Sequence, residues 1–249
     1  SLFLILSFNS FALFAKESTH SEVKPNEHTQ AEVKTTEHAA IESKHVEHKR
    51  ESGPIDANKA LGFLKNGNVR YLKGHNRKDG ATKGDRERLS TGQKPHAIVL
   101  SCSDSRVPPE IVFDQKLGEI FVVRTAGQSL DSSAIASIEY AVSHLGSNLI
   151  VVMGHESCGA VKAALGTLKG GDAGSPWLNK LVSDLHPHLK RFSELPQSEG
   201  VLVESWANVE GVARDLVERS DIVRKLVESG EVSIQNALYH LGSGSVEWR

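Results

Sequence analysis

Residues 149–159 read LIVVMGHESCG and give the strongest indication of the fold. Its first five residues are a continuous apolar run, of the kind found in strands that are buried on both faces of a parallel sheet. Residues 154–159, which are glycine, polar residues and cysteine, follow this run directly. We therefore expect a turn that carries His155 and Cys158 just past the carboxyl end of a central strand.

On both sides of this strand, apolar strands and amphipathic helices alternate along the chain. Strands are predicted at His96–Leu100 and Ile120–Val123, and helices at Asn58–Leu72, from Asp131 or Ser132 to Leu145 before Gly146, and from Ala160 through Leu165. This alternation predicts an α/β fold with a mostly parallel central sheet flanked by helices.

The carboxyl-terminal part predicts two further helices and a hairpin. The helices are expected at Trp177–Phe192 and Val209–Val227. Gln235–Leu241 and Val246–Trp248, joined by the Gly- and Ser-rich residues 242–245, indicate an antiparallel hairpin at the sheet edge. An apolar edge strand favours pairing with another subunit, which would cover it.

The only two cysteines fall where sites form in open α/β sheets. Cys102 follows the strand at His96–Leu100, and His155 and Cys158 follow the strand at 149–153. Two thiolates and one imidazole suit zinc, and three protein ligands leave a fourth position open, as in catalytic zinc sites. The alternative is a buried cysteine pair or a disulfide, which leaves the neighbouring His, Asp and Arg unexplained.

Asp104 and Arg106 add a carboxylate and a guanidinium beside the first cysteine. Asp104 either takes the fourth zinc position or turns away to pair with Arg106, whose planar fork suits a carboxylate. In the second case water can bind the metal and lose a proton near pH ~7. Two thiolates make zinc a weaker acidifier, so activity is expected to rise toward alkaline pH. A purely structural ion pair is the alternative.

Composition excludes several classes of protein. Of 249 residues, 39% are hydrophobic and 24% are charged, which excludes a collagen-like, a wholly disordered or a disulfide-dense chain. Lys and Arg number 29 against 31 Asp and Glu, a formal net charge of −2. This balance gives no reason to expect nucleic acid as a partner. His96, His144, His186 and His188 stand singly and are interpreted as surface or core fillers.

The amino-terminal segment is interpreted as a signal peptide, residues 1–15, whose basic n-region is missing. Residues 2–15 read LFLILSFNSFALFA, which is apolar but too short to cross a bilayer as a helix. Small residues permit cleavage after Ala12 or Ala15. A short membrane-surface anchor is the alternative. The chain is expected in the periplasm or otherwise exported.

Residues 16–53 are predicted to be a disordered tether with a ten-residue repeat. Glutamate recurs every five residues from Glu17 to Glu47, a period that fits neither a helix nor a strand, and large apolar residues are almost absent. An alternative is that the histidines of this segment gather metal for the site: His20, His28, His38, His45 and His48. The folded, zinc-dependent domain is expected at 54–249.

Three blocks of the sequence resemble the signature of the β-class carbonic anhydrases, in the order and spacing of that family. They are CSDSRVP at 102–108, FVVR with the following AG at 121–127, and HESCG at 155–159. The resemblance extends over roughly Asn58 to Trp248. One departure is Ala160, where many members have a second glycine.

The resemblance implies roles for individual residues. Cys102, His155 and Cys158 would bind one Zn²⁺ per chain, with Asp104 and Arg106 as the family's aspartate and arginine. Gln93 stands where members with an open site have a glutamine that reaches into the neighbouring subunit, and Phe121 and Tyr140 match the aromatic pair of the substrate pocket. Some members instead close the site with aspartate and respond to bicarbonate, whereas Gln93 favours the open kind.

The implied activity is the reversible hydration of carbon dioxide to bicarbonate and a proton by a zinc-bound hydroxide. A homodimer or homotetramer with pockets at subunit interfaces is expected, as in the family. Two alternatives stay open at this point. One is hydrolysis of carbonyl sulfide or carbon disulfide on the same scaffold, and the other is a noncatalytic zinc-handling protein.

Overall fold

The computed structural model of the chain describes Gly53 and residues 55–249. The predicted signal peptide and nearly all of the predicted tether lie outside the described residues, so these two assignments, and export with them, stay predictions. Among the described residues, no helix is both long and apolar enough to cross a membrane.

Eight helices and five strands alternate along the described chain. The strands are β1 (Ala97–Cys102), β2 (Ile120–Thr125), β3 (Leu149–His155), β4 (Ser233–Tyr239) and β5 (Val246–Trp248). The helices are α1 (Ala57–Leu72), α2 (Lys83–Leu89), α3 (Pro109–Val112), α4 (Ser132–His144), α5 (Gly159–Thr167), α6 (Pro176–Leu189), α7 (Leu202–Arg219) and α8 (Asp221–Glu228).

The strands form one mixed sheet in the order β2-β1-β3-β4-β5. The first four are parallel, and β5 pairs antiparallel with β4 at the edge. The predicted mostly parallel α/β sheet with a carboxyl-terminal edge hairpin is therefore confirmed. The central strands β1 and β3 are buried along their whole length, as their uninterrupted apolar sequences predict.

Helices cover both faces of this sheet because successive strand residues point to opposite sides. Ile98 and Leu100 of β1 pack in one core with residues of α4, α7 and α8, whereas Ala97 and Val99 pack in the other with residues of α1 and α3. The side chains of β3 alternate between the same two cores. The sheet is thus the middle layer of a three-layer domain.

Most predicted elements are found, with three corrections. Asp131 caps α4 as expected, its side chain accepting from the Ala134 N–H. The helix predicted over Val209–Val227 is two helices, because Ser220 leaves the helical conformation and its side chain caps α8. The first three predicted strands end too early, since Cys102, Thr125 and His155 are the last residues of β1, β2 and β3, whereas the strand predicted at Gln235–Leu241 lies two residues earlier, at Ser233–Tyr239. The short helices α2 and α3 were not predicted.

The buried side chain of Asn68 ties α1 to two distant parts of the fold. Its amide donates to the carbonyls of Val112 (3.1 Å) and Gly244 (3.0 Å), and its Oδ1 accepts from the Val246 N–H (3.1 Å). The bond to Val112 holds α3 against α1, and the other two hold the β4–β5 hairpin against the same helix. Such bonds matter most where water cannot replace them.

Replacing Asn68 by Ala should therefore lower the free energy of unfolding by about 2–4 kcal/mol, because three buried backbone groups lose their partner. Urea denaturation measures the loss. The matched control is Asn66→Ala, whose exposed side chain makes no hydrogen bond among the described residues; its effect should stay below about 0.5 kcal/mol. Equal effects of the two variants would contradict the structural role of Asn68.

Candidate metal centre

The parallel pairing of β1 with β3 brings the predicted ligands together. Cys102 ends β1, His155 ends β3, and Cys158 is the N-cap residue of α5, one turn after the strand. The Sγ atoms of the two cysteines and a ring nitrogen of His155 lie within 4.8 Å of one another, and all three residues are buried. Both cysteines are free thiols, so the predicted alternative of a disulfide is not found.

The hydrogen bonding of His155 leaves one ring nitrogen for a metal. Its Nδ1 lies 2.8 Å from the carbonyl oxygen of Glu156, an acceptor, so Nδ1 carries the proton and donates. Nε2 is buried without a hydrogen-bond partner. A buried lone pair with no donor is costly, and a cation at the cluster would satisfy it. Together with two sulfur donors, this atom fits zinc.

The turn between the ligands His155 and Cys158 has an uncommon backbone conformation. Ser157 has φ 56°, in the left-handed region that few non-glycine residues adopt. Its N–H donates to the Gly200 carbonyl (2.5 Å), and the Glu156 N–H donates to the Tyr239 carbonyl (3.2 Å). These contacts fix the direction in which Cys158 points, so the ligand geometry is set before a metal arrives.

The sulfur of Cys102 is held by two backbone donors. The N–H of Asp104 and the N–H of Gly127 lie 3.4 and 3.3 Å from Sγ. Gly127 has φ 63°, and a Cβ there would come within 2.9 Å of Ala160 Cβ and Leu185 Cδ1. Glycine is thus required at 127. Ala160, the departure from the family pattern, packs here without displacing a ligand.

The two buried thiols are coupled through a hydrogen bond, which moves their pKa values apart. A hydrogen bond from Cys158 lowers the pKa of Cys102 to about 4, with the backbone N–H groups of Asp104 and Gly127 adding to the effect. The same interaction, together with burial, raises the pKa of Cys158 well above its usual range. Cys102 is therefore the sulfur that loses its proton first, and Cys158 is the one that keeps its proton.

The structure places Asp104 beside the cluster and turned toward Arg106. Asp104 Oδ1 accepts from the Nε and the backbone N–H of Arg106 (2.9 and 3.0 Å), and Oδ2 accepts from Nη2 (2.7 Å). Asp104 Oδ2 also lies 3.9 Å from His155 Nε2. The Arg106 hydrogen bonds hold the pKa of Asp104 well below its usual range, so this carboxylate stays ionised.

Arg124 holds the Cys102 loop in place, a role that the sequence analysis missed. Its Nε donates to the Cys102 carbonyl (3.0 Å) and its Nη2 to the Asp104 carbonyl (2.7 Å). The pairing of β1 with β2, in which Cys102 stands opposite Thr125, places Arg124 for both bonds. The only sequence signal for it was the arginine at the end of the FVVR string.

Gln93, Phe121 and Tyr140 do not gather around the metal ligands of the same chain. Gln93 is exposed and precedes β1, at the opposite end of the strand from Cys102. Phe121 pairs with Ile98 near the start of both strands. Tyr140 packs beside Phe121, with ring centroids 6.4 Å apart, and is 47% exposed. A six-residue strand, about 20 Å long, separates this end of the sheet from the centre.

Comparisons with known proteins agree with the site geometry. The family model described as carbonic anhydrase matches residues 97–246. A carbonic anhydrase of Mycolicibacterium smegmatis is 40% identical over 80% of this chain and 94% of its own length, and carbonic anhydrase 2 of Mycobacterium tuberculosis is 37% identical over 78% and 91%. A solved structure, one of two tetrameric β-carbonic anhydrases from Sordaria macrospora, is 25% identical over 65% of this chain and 84% of its own, with a TM-score of 0.58.

Zinc binding to the metal-free protein should release about one proton per ion at pH ~8, because both cysteines bind as thiolates and only Cys158 still carries its proton. Titration calorimetry in buffers of different ionisation enthalpy counts the protons. Cys158→Ser, which removes this thiol, should bind zinc far more weakly. Release of two protons, or of none, would contradict the charge assignment of the two thiols.

Proposed function

Since this chain belongs to the β-class carbonic anhydrase family and hydrates carbon dioxide reversibly, we propose that the reaction takes place at Cys102, His155 and Cys158. The observation that carries this placement is the unpartnered Nε2 of buried His155, which faces two cysteine sulfurs beside the Asp104–Arg106 pair. Nothing in the comparisons supports the sulfur-substrate hydrolase or the noncatalytic zinc-handling protein.

The metal that these residues hold is zinc. When bound, it supplies a Lewis acid that brings the pKa of a water ligand to about 7, so that a nucleophile forms without a strong base. Cys102, His155 and Cys158 would supply three protein ligands, and catalytic zinc sites of this kind keep a fourth position for solvent. The two thiolates reduce the charge of the centre, which favours activity on the alkaline side of neutrality.

Asp104 acts as an ionised hydrogen-bond acceptor at the edge of the centre. Oδ1 is occupied by two donors of Arg106, whereas Oδ2 accepts one bond from Arg106 and keeps lone-pair capacity on the side of His155. A carboxylate in this state accepts a hydrogen bond from incoming solvent and thereby orients the solvent lone pair toward carbon dioxide. Arg106 keeps Asp104 turned away from the fourth ligand position of a bound metal, so the pair would control the access of solvent to it.

We propose that Gln93, Phe121 and Tyr140 serve the centre of a neighbouring subunit. Their position at the far end of β1 and β2 excludes contact with the ligands of their own chain, and the large exposed fraction of Tyr140 suits an interface. The Gln93 amide would donate to an oxygen of carbon dioxide or bicarbonate, and the two rings would form the apolar wall. The relative from Sordaria macrospora is tetrameric; a homodimer or homotetramer is our proposal for this chain.

Asp104→Ala should lose at least about 100-fold in carbon dioxide hydration, since the group that orients solvent is removed. Its zinc content should stay near one ion per chain. Stopped-flow assays with metal analysis on the same samples test both points. Glu110→Gln, an exposed site on the short helix α3, is the control and should keep full activity. Full activity of Asp104→Ala would exclude this role.

Hybrid oligomers test whether Gln93 acts across the interface. Asp104→Ala and Gln93→Ala homo-oligomers should each be defective. A tagged heterodimer of the two variants contains one site with both residues intact, so it should recover about half of the wild-type activity per dimer. A heterodimer no more active than its parents would show that Gln93 does not act in trans.

A further inference from the structure

A cavity of about 510 Å³ lies at the amino end of the sheet, and we call it the amino-end cavity. His96, directly before β1, and Glu119, directly before β2, line it together with residues of α1 and α2. Cys102 and His155 lie at the opposite, carboxyl ends of their strands. The volume is typical of small-molecule sites, which measure roughly 300–1,000 Å³.

Ion pairs fix one wall of the amino-end cavity. Arg77 donates to both carboxylate oxygens of Glu119, at 3.2 and 2.6 Å. Arg70 pairs with the buried Asp114 at 2.5 Å, and the backbone N–H of Arg77 donates to the other oxygen of that carboxylate (3.0 Å). Charge-assisted hydrogen bonds of this kind hold both partners in place. The wall therefore has its shape before a ligand binds, and other groups must balance the charge of a ligand.

Two buried nitrogen atoms of this wall have no hydrogen-bond partner. His96 is only 9% exposed, and its Nε2 is unpartnered. Arg77 Nε is also unpartnered, with the Asp114 carboxylate no closer than 3.5 Å. Burial lowers the pKa of His96 although Glu119 and Gln115 act in the other direction, so the ring is neutral at pH ~7. Buried polar atoms without a partner are costly, and a polar group of a ligand would satisfy them.

The rim of the cavity carries two further cations beside apolar side chains. Lys94 is exposed and makes no ion pair among the described residues, and Arg88 makes a single contact of 3.5 Å with Asp85. The apolar side chains are Phe63 and Leu117, which line the cavity although they are 36% and 49% exposed. Guanidinium and ammonium groups bind phosphate oxygens well, and apolar surface favours a ring.

We propose that the amino-end cavity binds a small aromatic phosphate monoester, with the phosphate at Lys94 and Arg88 and the ring against Phe63 and Leu117. Two cations without strong partners match the two negative charges of a phosphate monoester better than the single charge of a carboxylate. A polar substituent on the ring would reach His96. The site is separate from carbon dioxide hydration, because the metal ligands lie at the other end of the strands.

Titration calorimetry of the zinc-loaded protein with phenyl phosphate tests this site. Phenyl phosphate should bind at least about tenfold more tightly than inorganic phosphate, which has no ring, and than benzoate, which has one charge. Lys94→Glu should weaken phenyl phosphate by at least about tenfold, because it places a carboxylate at the rim. The matched control is Lys225→Glu, an exposed lysine of α8 without an ion pair among the described residues, and its affinity should stay unchanged.

Two further variants separate the ring contact and the metal centre. Leu117→Ser, at an exposed position, should weaken phenyl phosphate and leave the affinity for inorganic phosphate unchanged. Cys158→Ser, which should bind zinc weakly, should keep the affinity for phenyl phosphate if circular dichroism shows it folded. Loss of binding in this folded variant would place the anion at the metal and overturn the proposal. Equal affinities of Lys94→Glu and Lys225→Glu, or of phenyl phosphate and inorganic phosphate, would overturn it as well.

Discussion

The parallel pairing of β1 with β3 determines where the metal ligands lie and how the elements around them are arranged. In parallel strands the carboxyl ends lie at the same edge of the sheet, and the register from Ile98 opposite Ile150 to Ser101 opposite Met153 makes both strands end together. Cys102 and His155 then leave the sheet side by side. Because both strands are fully buried, slippage by one residue would turn every side chain to the other face of the sheet, so the core holds the ligand geometry.

The charge balance of the centre follows from this arrangement. Two cysteines and Asp104 bring negative charge to a buried edge of the sheet, where it is costly without donors. The donors come from every neighbouring element: backbone N–H groups at Cys102, the helix start at Cys158, and the guanidinium of Arg106 at Asp104. Arg124 adds two bonds to the carbonyls of the loop itself. These donors therefore fix the positions of the cysteines and of Asp104 independently of a bound cation.

The sequence predicts the parts of this site that are local. The apolar runs, the Asp131 cap and the cysteine and histidine at strand ends all act over a few residues, and the structure contains them. Strand ends were predicted too early because polar ligands interrupt the apolar pattern although the backbone continues to pair. The break at Ser220 was missed because the apolar periodicity runs on through it. Arg124 has only a weak local signal, because the two carbonyls that it binds lie at the end of a neighbouring strand and in the loop after it.

The same strand direction that assembles the ligands also divides the substrate site. A residue before β1 and a residue at its end cannot both face one metal, because the strand between them is extended and buried. Gln93 and Cys102 of one chain therefore belong to different centres. A centre that contains both residue types needs the start of β1 from a second chain next to the end of β1 of the first. In the proposed oligomer a two-fold axis would do this for both chains at once, because each subunit would supply ligands to one site and pocket residues to the other. The exposed ring of Tyr140 would then be covered, and the proposed oligomer would be part of the catalytic unit because of the geometry of one sheet.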